Sequence, residues 1–344
     1  MNKKQLLLLI LFCVVLIAAV FFLASKKSLG SGASRLNAAK SLVKDFDVNS
    51  ICKIVLKTGS FAIAVQKKNG SWIVMGEYEY PADFELVSAF VRKVRDLKPM
   101  RSYPSEYSSS FYLFMPGKDK KRSGTFLELF DENGTTKVAV LLGKFHFPKV
   151  ETPNPYATPE PNGRYAMNVK EKSCPVLVAE PLLAAVPFAM VWLDKKLFRM
   201  TGPKSISSAD PKGTILWELA RKAPGGNFSM AGPSAALNKA VLKQFFGALF
   251  NLTFTGVKPL EKSEVSSIKN NRTIIVETFD GIRYDIKLGS KGQKHYLNLD
   301  LSYKGDKKNL PEKFKKDKFY TKWLYEIPAQ IAQILQVNKK NISE

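Results

Sequence analysis

The chain has 344 residues, 45% apolar and 24% charged, with 53 Lys+Arg against 30 Asp+Glu and a formal net charge of +23. That length fits about two globular domains plus a short extra segment, and the composition excludes a wholly disordered chain. Three Cys exclude a disulfide-dense scaffold and a multi-cysteine zinc framework, and two His, His146 and His295, do not make a histidine-rich metal site.

The first element is an apolar run from Leu6 to Ala24, LLLLILFCVVLIAAVFFLA, without charge or proline. As a helix it would be roughly 28 Å long, close to the hydrocarbon thickness of a bilayer. A cleaved signal peptide has a shorter apolar region, of about 7–15 residues, and small residues before the cut. Phe22 stands where such a small residue would be needed. Residues 1–25 therefore predict an uncleaved transmembrane signal anchor. Lys3 and Lys4 before the span nearly balance Lys26, Lys27 and Arg35 after it. The short tail favours an inner (cytoplasmic) membrane protein, single-pass, with its C-terminal domain facing the periplasm or cell exterior. Residues 26–48 read as a basic flexible tether around Gly30-Ser31-Gly32.

The remainder reads as one pattern used twice, over residues 49–200 and 201–344. In the first copy, residues 51–57 and 60–66 alternate as strands, Asn69-Gly70 makes a turn and residues 71–74 form a third strand. Pro81-Ala82-Asp83 then opens a helix with an apolar face at Phe84, Val87, Phe90, Val91, Val94 and Leu97. In the second copy, residues 214–219 are a strand, Gly225-Gly226 a turn, and Gly232-Pro233-Ser234 opens a helix with a seam at Leu237, Val241, Phe245, Leu249 and Leu252. Each copy continues with a hairpin, 125–142 and 273–288, ending in Leu142-Gly143 and Leu288-Gly289. A strand follows at 164–169 and at 295–299. Each copy closes with a strand entering a short helix, at Pro181-Leu182-Leu183 and at residues 328–335. Hairpins without persistent βαβ alternation predict an α+β fold, two tandem repeats of antiparallel sheet plus covering helix. Trp72, Phe84, Phe90, Leu237, Phe245 and Trp323 are the expected core aromatics and aliphatics.

Two loops differ between the copies. Residues 103–123 carry aromatics, serines and the basic run Lys118, Lys120, Lys121 and Arg122; residues 147–163 carry five prolines. Long loops are either functional or merely mobile. No phosphate-cradling, dinucleotide, H-E-x-x-H or G-x-S-x-G motif is present, so no catalytic, cofactor-binding or metal residue is assigned and the chain reads as no enzyme. A deep pocket with paired carboxylates would argue otherwise. Cys52 and Cys174 lie in strands of the same copy, and spacing does not decide whether they pair. The basic groups are spread, including Lys239 and Lys243 and the runs 304–308 and 313–318, so no nucleic acid is expected. Attraction to an anionic surface and a plain solvated surface remain open alternatives.

The pattern resembles a bacterial family, the domain of unknown function 4340 family. The residues that carry the resemblance are Ile51-Cys52-Lys53-Ile54-Val55-Leu56, Asn69-Gly70-Ser71-Trp72, Pro81-Ala82-Asp83, Leu142-Gly143, Arg164-Tyr165 and Trp323-Leu324-Tyr325-Glu326-Ile327-Pro328. Phe111-Tyr112-Leu113 departs from that family's Y-G-L segment, and the second copy lacks the Trp and the P-A-D. The resemblance implies a membrane-anchored accessory or scaffold protein. Its partner would be a protein of an ABC-type transport or gliding-type membrane complex. The alternative is a binding module for an anionic envelope polymer or lipid.

Overall fold

The computed structural model describes residues 34–35, 41–116, 123–148, 159–197, 200–230, 236–261, 267–306 and 308–343. The expected anchor is corrected here. Among the described residues no helix is long and apolar enough to cross a membrane, and the run from Leu6 to Ala24 lies outside them. The single-pass location, the membrane-complex partner and the anchored accessory role all rested on that helix, and they are not carried further.

The strands are β1 (Ser34–Arg35), β2 (Ile51–Thr58), β3 (Phe61–Lys68), β4 (Ser71–Val74), β5 (Pro99–Ser102), β6 (Thr125–Asp131), β7 (Thr136–His146), β8 (Gly163–Asn168) and β9 (Val176–Val178). They continue as β10 (Pro203–Ala209), β11 (Ile215–Ala220), β12 (Ser229–Met230), β13 (Gly256–Pro259), β14 (Lys269–Thr278), β15 (Ile282–Lys291), β16 (Lys294–Tyr303) and β17 (Trp323–Ile327). The helices are α1 (Phe84–Arg95), α2 (Ala189–Trp192), α3 (Lys239–Phe250), α4 (Glu312–Asp317), α5 (Ala329–Leu335) and α6 (Lys339–Ile342).

One sheet has the order β1-β5-β9-β8-β7-β6-β2-β3-β4, the other β12-β11-β10-β14-β15-β16-β17-β13. Read from its other edge, the second becomes β13-β17-β16-β15-β14-β10-β11-β12. That is β5-β9-β8-β7-β6-β2-β3-β4, strand for strand, with α1 and α3 inserted at the same point of each order. By contact the chain divides into two compact units, Met1–Ala64 with Glu85–Pro187, and Val65–Phe84 with Phe188–Glu344.

Local chemistry explains the hairpins. Asp131 Oδ1 accepts from Asn133 N at 3.0 Å and Thr135 N at 2.8 Å. Asp210 Oδ1 does the same for Lys212 N at 2.8 Å and Thr214 N at 2.9 Å. Such side-chain turns fix the reversal before the ladder closes. Period-two patterning does the rest: along β15, Ile282, Tyr284, Ile286 and Leu288 are buried while Arg283, Asp285 and Lys287 take the other face. Asn238 caps α3 by accepting from Val241 N at 3.1 Å, so the helix starts at Lys239 rather than near residue 232. Phe245 of α3 meets Trp217 of β11 edge-on, ring centroids 5.4 Å apart.

Several expectations need amendment. Phe90, Phe245 and Trp323 are buried, but Phe84 is 65% exposed and Trp72 and Leu237 are only half-buried. The buried stripe of α1 is Val87, Phe90, Val91 and Val94, and Phe84 stands a turn before it. Pro181-Leu182-Leu183 forms no helix; Leu182 adopts φ of 50° in a turn. β10 escaped detection because its Ser205, Ser207 and Ser208 mask the apolar alternation. Cys52 and Cys174 are both free.

Burial pushes the phenols of Tyr80, Tyr284, Tyr320 and Tyr325 above their ordinary value, Tyr320 to about 12. A phenol whose native pKa is raised contributes stability that is whole below its unfolded pKa and is lost as pH climbs through the native one. Arg164 works in the opposite direction. Desolvation lowers its pKa to about 10, so the native state sheds that proton more readily than the unfolded chain. Burial also raises the Tyr165 phenol and lowers the Arg272 guanidinium; with five phenols against two guanidiniums, the urea midpoint is expected to hold up to about pH 10 and fall above it. A midpoint that is the same at pH 8 and pH 11 would contradict this.

Candidate ligand cleft on the second sheet

A concavity of about 560 Å³ lined by converging polar side chains lies on the outward face of β14 to β17. The period of two that buries Tyr284, Ile286, Leu297 and Leu299 turns Arg283, Asp285, Lys287, Tyr296, Asn298 and Asp300 to this side. Asp210, from the turn after β10, and Asn270 and Thr273 of β14 complete the polar lining.

Asp285 and Asp300 sit directly opposite each other on neighbouring strands. Like charges in that position repel, and each here has its own cation. Arg283 donates from Nε to Asp285 Oδ1 at 3.0 Å, and Lys287 Nζ lies 2.5 Å from Asp300 Oδ2. Arg283 also reaches Glu277 at 3.4 Å, and Lys304 Nζ lies 2.5 Å from the same carboxylate oxygen. The Lys304 hydrogen bond, more than any other cause, lowers the Glu277 pKa. Tyr296 provides the aromatic wall, with Lys258 Nζ 5.8 Å from its ring centroid. Gly289, opposite Tyr296 in the ladder, lets the chain at 268–269 cross above it; a Cβ there would come within 2.5 Å of Ile268 Cγ2.

The hydrogen-bond registers give the matching face of the first sheet. Leu142 pairs with Ala166, and Leu288 pairs with Leu297, so Tyr165 stands where Tyr296 does and Gly143 where Gly289 does. The same alignment places Phe126, Leu141 and Met167 at the positions of Thr273, Lys287 and Asn298. There the face is covered by its own chain. Phe111 stacks on Tyr165 with centroids 3.8 Å apart and planes at 5°. Tyr103 meets both rings edge-on, at 4.9 and 5.7 Å, and Tyr107 stacks on Phe111 at 5.8 Å. A Cβ on Gly143 would collide with the Phe111 carbonyl oxygen. Thus the described part of the loop at 103–123 closes over the first sheet, whereas the second sheet leaves the equivalent face open and charged. Residues 117–122 and 149–158, with the basic run and two of the five prolines, Pro153 and Pro155, lie outside the described residues.

The two histidines do not come together as a site. His146 Nδ1 pairs with Asn162 Oδ1 at 2.7 Å, and half-buried His295 occupies the β16 position that Arg164 holds in β8. Arg164 is buried and donates to Gly143 O at 2.9 Å and Leu182 O at 3.4 Å, which ties the turn after β9 to β7. Among the described residues no group of three His, Cys, Asp or Glu could hold a metal ion.

The cleft residues went unassigned in the sequence because R-x-D-x-K and N-x-D on alternating strands look like any solvated face. Only the ladder register joins them. No protein-family model, no curated protein and no solved structure matches the chain.

Proposed function

We propose that this chain is a non-catalytic binding protein whose second sheet receives a neutral polyhydroxylated ligand, of the saccharide class, in the cleft on β14 to β17. The carrying observation is that the same face is filled by apolar side chains in one sheet and left open and internally charge-matched in the other. Arg283 and Lys287 are already paired with Asp285 and Asp300. An ionic ligand would have to break those pairs. Vicinal hydroxyls, which both donate and accept, add to them without displacing them. Tyr296 offers an apolar ring beside the polar groups. Binding is preferred to catalysis because the facing carboxylates are each engaged by a cation. The family resemblance belongs to the same proposal; it is supported by the matching ladder positions of Leu142-Gly143 and Leu288-Gly289.

The test is calorimetric titration of the full chain with neutral maltose-, cellulose- and chitin-type oligosaccharides, with polygalacturonate as the anionic comparison. Saturable binding of a neutral glycan is expected, weakened roughly tenfold or more in Asn298→Leu, which leaves ligand hydroxyls unpaired. Binding of polygalacturonate alone, or of no glycan, overturns the proposal.

A further inference from the structure

A second concavity, of about 770 Å³ and independent of the polar cleft, lies between β12 and α3. α3 carries two stripes. Leu242, Phe245, Ala248 and Leu249 are buried. A second row, Lys239, Lys243, Phe246 and Phe250, follows the helical repeat along a half-exposed to exposed face. The Phe246 ring lies 5.3 Å from Phe228 beside β12 and 5.8 Å from Phe250. Lys239 and Lys243 are exposed, and no carboxylate among the described residues pairs with them. At the equivalent positions α1 has Phe84, Ser88, Val91 and Arg95, so neither lysine of this row has a lysine counterpart in α1.

Among the described residues β12 ends its sheet and is paired on one side, by β11. The concavity therefore has three walls of different chemistry: an edge strand whose second backbone side pairs with no described strand, a floor of aromatic and aliphatic side chains, and a rim of two ammonium groups. Those walls match an extended peptide. They match a nucleic acid less well, because the Arg221 guanidinium already covers the Phe228 ring at 4.8 Å and leaves less open aromatic surface for a base. The rim fixes the sign of the partner, and the +23 chain steers the same sign toward it.

We propose that this groove docks an extended acidic segment of a partner protein. The segment adds to β12 as a strand, lays apolar side chains against the paired rings of Phe228 and Phe246, and sets its carboxylates against Lys239 and Lys243.

The test uses fluorescence polarisation on the full chain. The probe is a short labelled peptide alternating glutamate with leucine or phenylalanine, and the comparisons are the same peptide with lysine for glutamate and an oligothymidylate. The acidic peptide is expected to bind and the lysine peptide not to. The double variant Lys239→Glu with Lys243→Glu, at two exposed positions, should weaken the acidic peptide roughly tenfold or more and admit the lysine peptide. Phe228→Ala should weaken the acidic peptide while its thermal midpoint stays near that of the parent chain. Equal binding of both peptides, an unchanged affinity after charge reversal, or oligothymidylate binding as tightly as the acidic peptide would overturn the assignment.

Discussion

Tyr80→Ala is expected to lower the unfolding free energy by about 3–5 kcal/mol, while Tyr80→Phe should change it by less than about 1 kcal/mol or raise it. The difference follows from where the ring and the hydroxyl lie. The ring is 1% exposed and sits among Trp323, Phe254, Phe319 and Tyr325, with centroids 5.0, 5.6, 5.8 and 6.3 Å away. Truncation empties the centre of that cluster, and close-packed neighbours collapse only in part. The Oη atom is buried with no hydrogen bond of good geometry, interacting with the Tyr325 hydroxyl, so deleting it chiefly removes a desolvation cost. The ring also holds its own segment. Gly76, Tyr78 and Glu79 adopt positive φ, and Val74 N donates to Tyr80 O at 3.0 Å. Positive φ at two non-glycine residues is costly, and the buried ring offsets it. Urea denaturation of the two variants side by side decides the matter. A loss below about 1 kcal/mol for the alanine variant, or above about 2 kcal/mol for the phenylalanine variant, would show that the cluster is not organised around this ring.

Tyr80 also shows which parts of the fold the sequence could and could not carry. Strands with clean period-two patterning were legible: β6, β7, β14 and β15 lie where alternation and the Asn-Gly and Asp-Gly turns placed them. So did α1, whose stripe at Val87, Phe90, Val91 and Val94 is one-sided. What failed did so for identifiable reasons. β5 and β13 have four residues each and contain proline, too short for periodicity to register. Phe84 satisfied the helical spacing, yet spacing fixes angle around the helix and not how far along it the partner sheet extends. Trp217 looked like a strand residue of no particular weight, yet it is the partner of Phe245 and donates to Val337 O at 3.0 Å. The segment holding Tyr80 had no regular pattern, because aromatic packing at long sequence separation leaves no local signature. The cleft was hidden for a related reason. Arg283, Asp285, Lys287, Asn298 and Asp300 are ordinary outward positions taken singly, and they become a site only when register brings two strands together.

The run at 313–318 is the clearest case of a charge cluster that is not merely a solvated face, and it carries the other large expected effect. Asp317→Ala should cost about 3–5 kcal/mol, because it strands two buried or half-buried partners at once. Asp317 ends α4 with 3% of its surface exposed. Its Oδ2 accepts from the Tyr284 hydroxyl at 2.8 Å and from Lys313 Nζ at 2.8 Å. Tyr284 is fully buried in the middle of β15, and burial and then this carboxylate hold its phenol protonated to high pH. Removing the carboxylate takes from that hydroxyl its acceptor at 2.8 Å and from Lys313 its counter-charge. The triad is nevertheless a weak source of net stability, since bringing the carboxylate in from water opposes the gain in Coulomb energy. Replacing the whole set, Tyr284→Phe with Lys313→Met and Asp317→Leu, is therefore expected to return most of the loss and to land within about 1–2 kcal/mol of the parent chain. Equilibrium unfolding of the single and triple variants separates the two accounts. If the triple variant is as unstable as Asp317→Ala alone, the triad contributes stability in its own right; if it recovers, what Asp317 supplies is compensation for a hydroxyl and an ammonium that the fold has drawn inward.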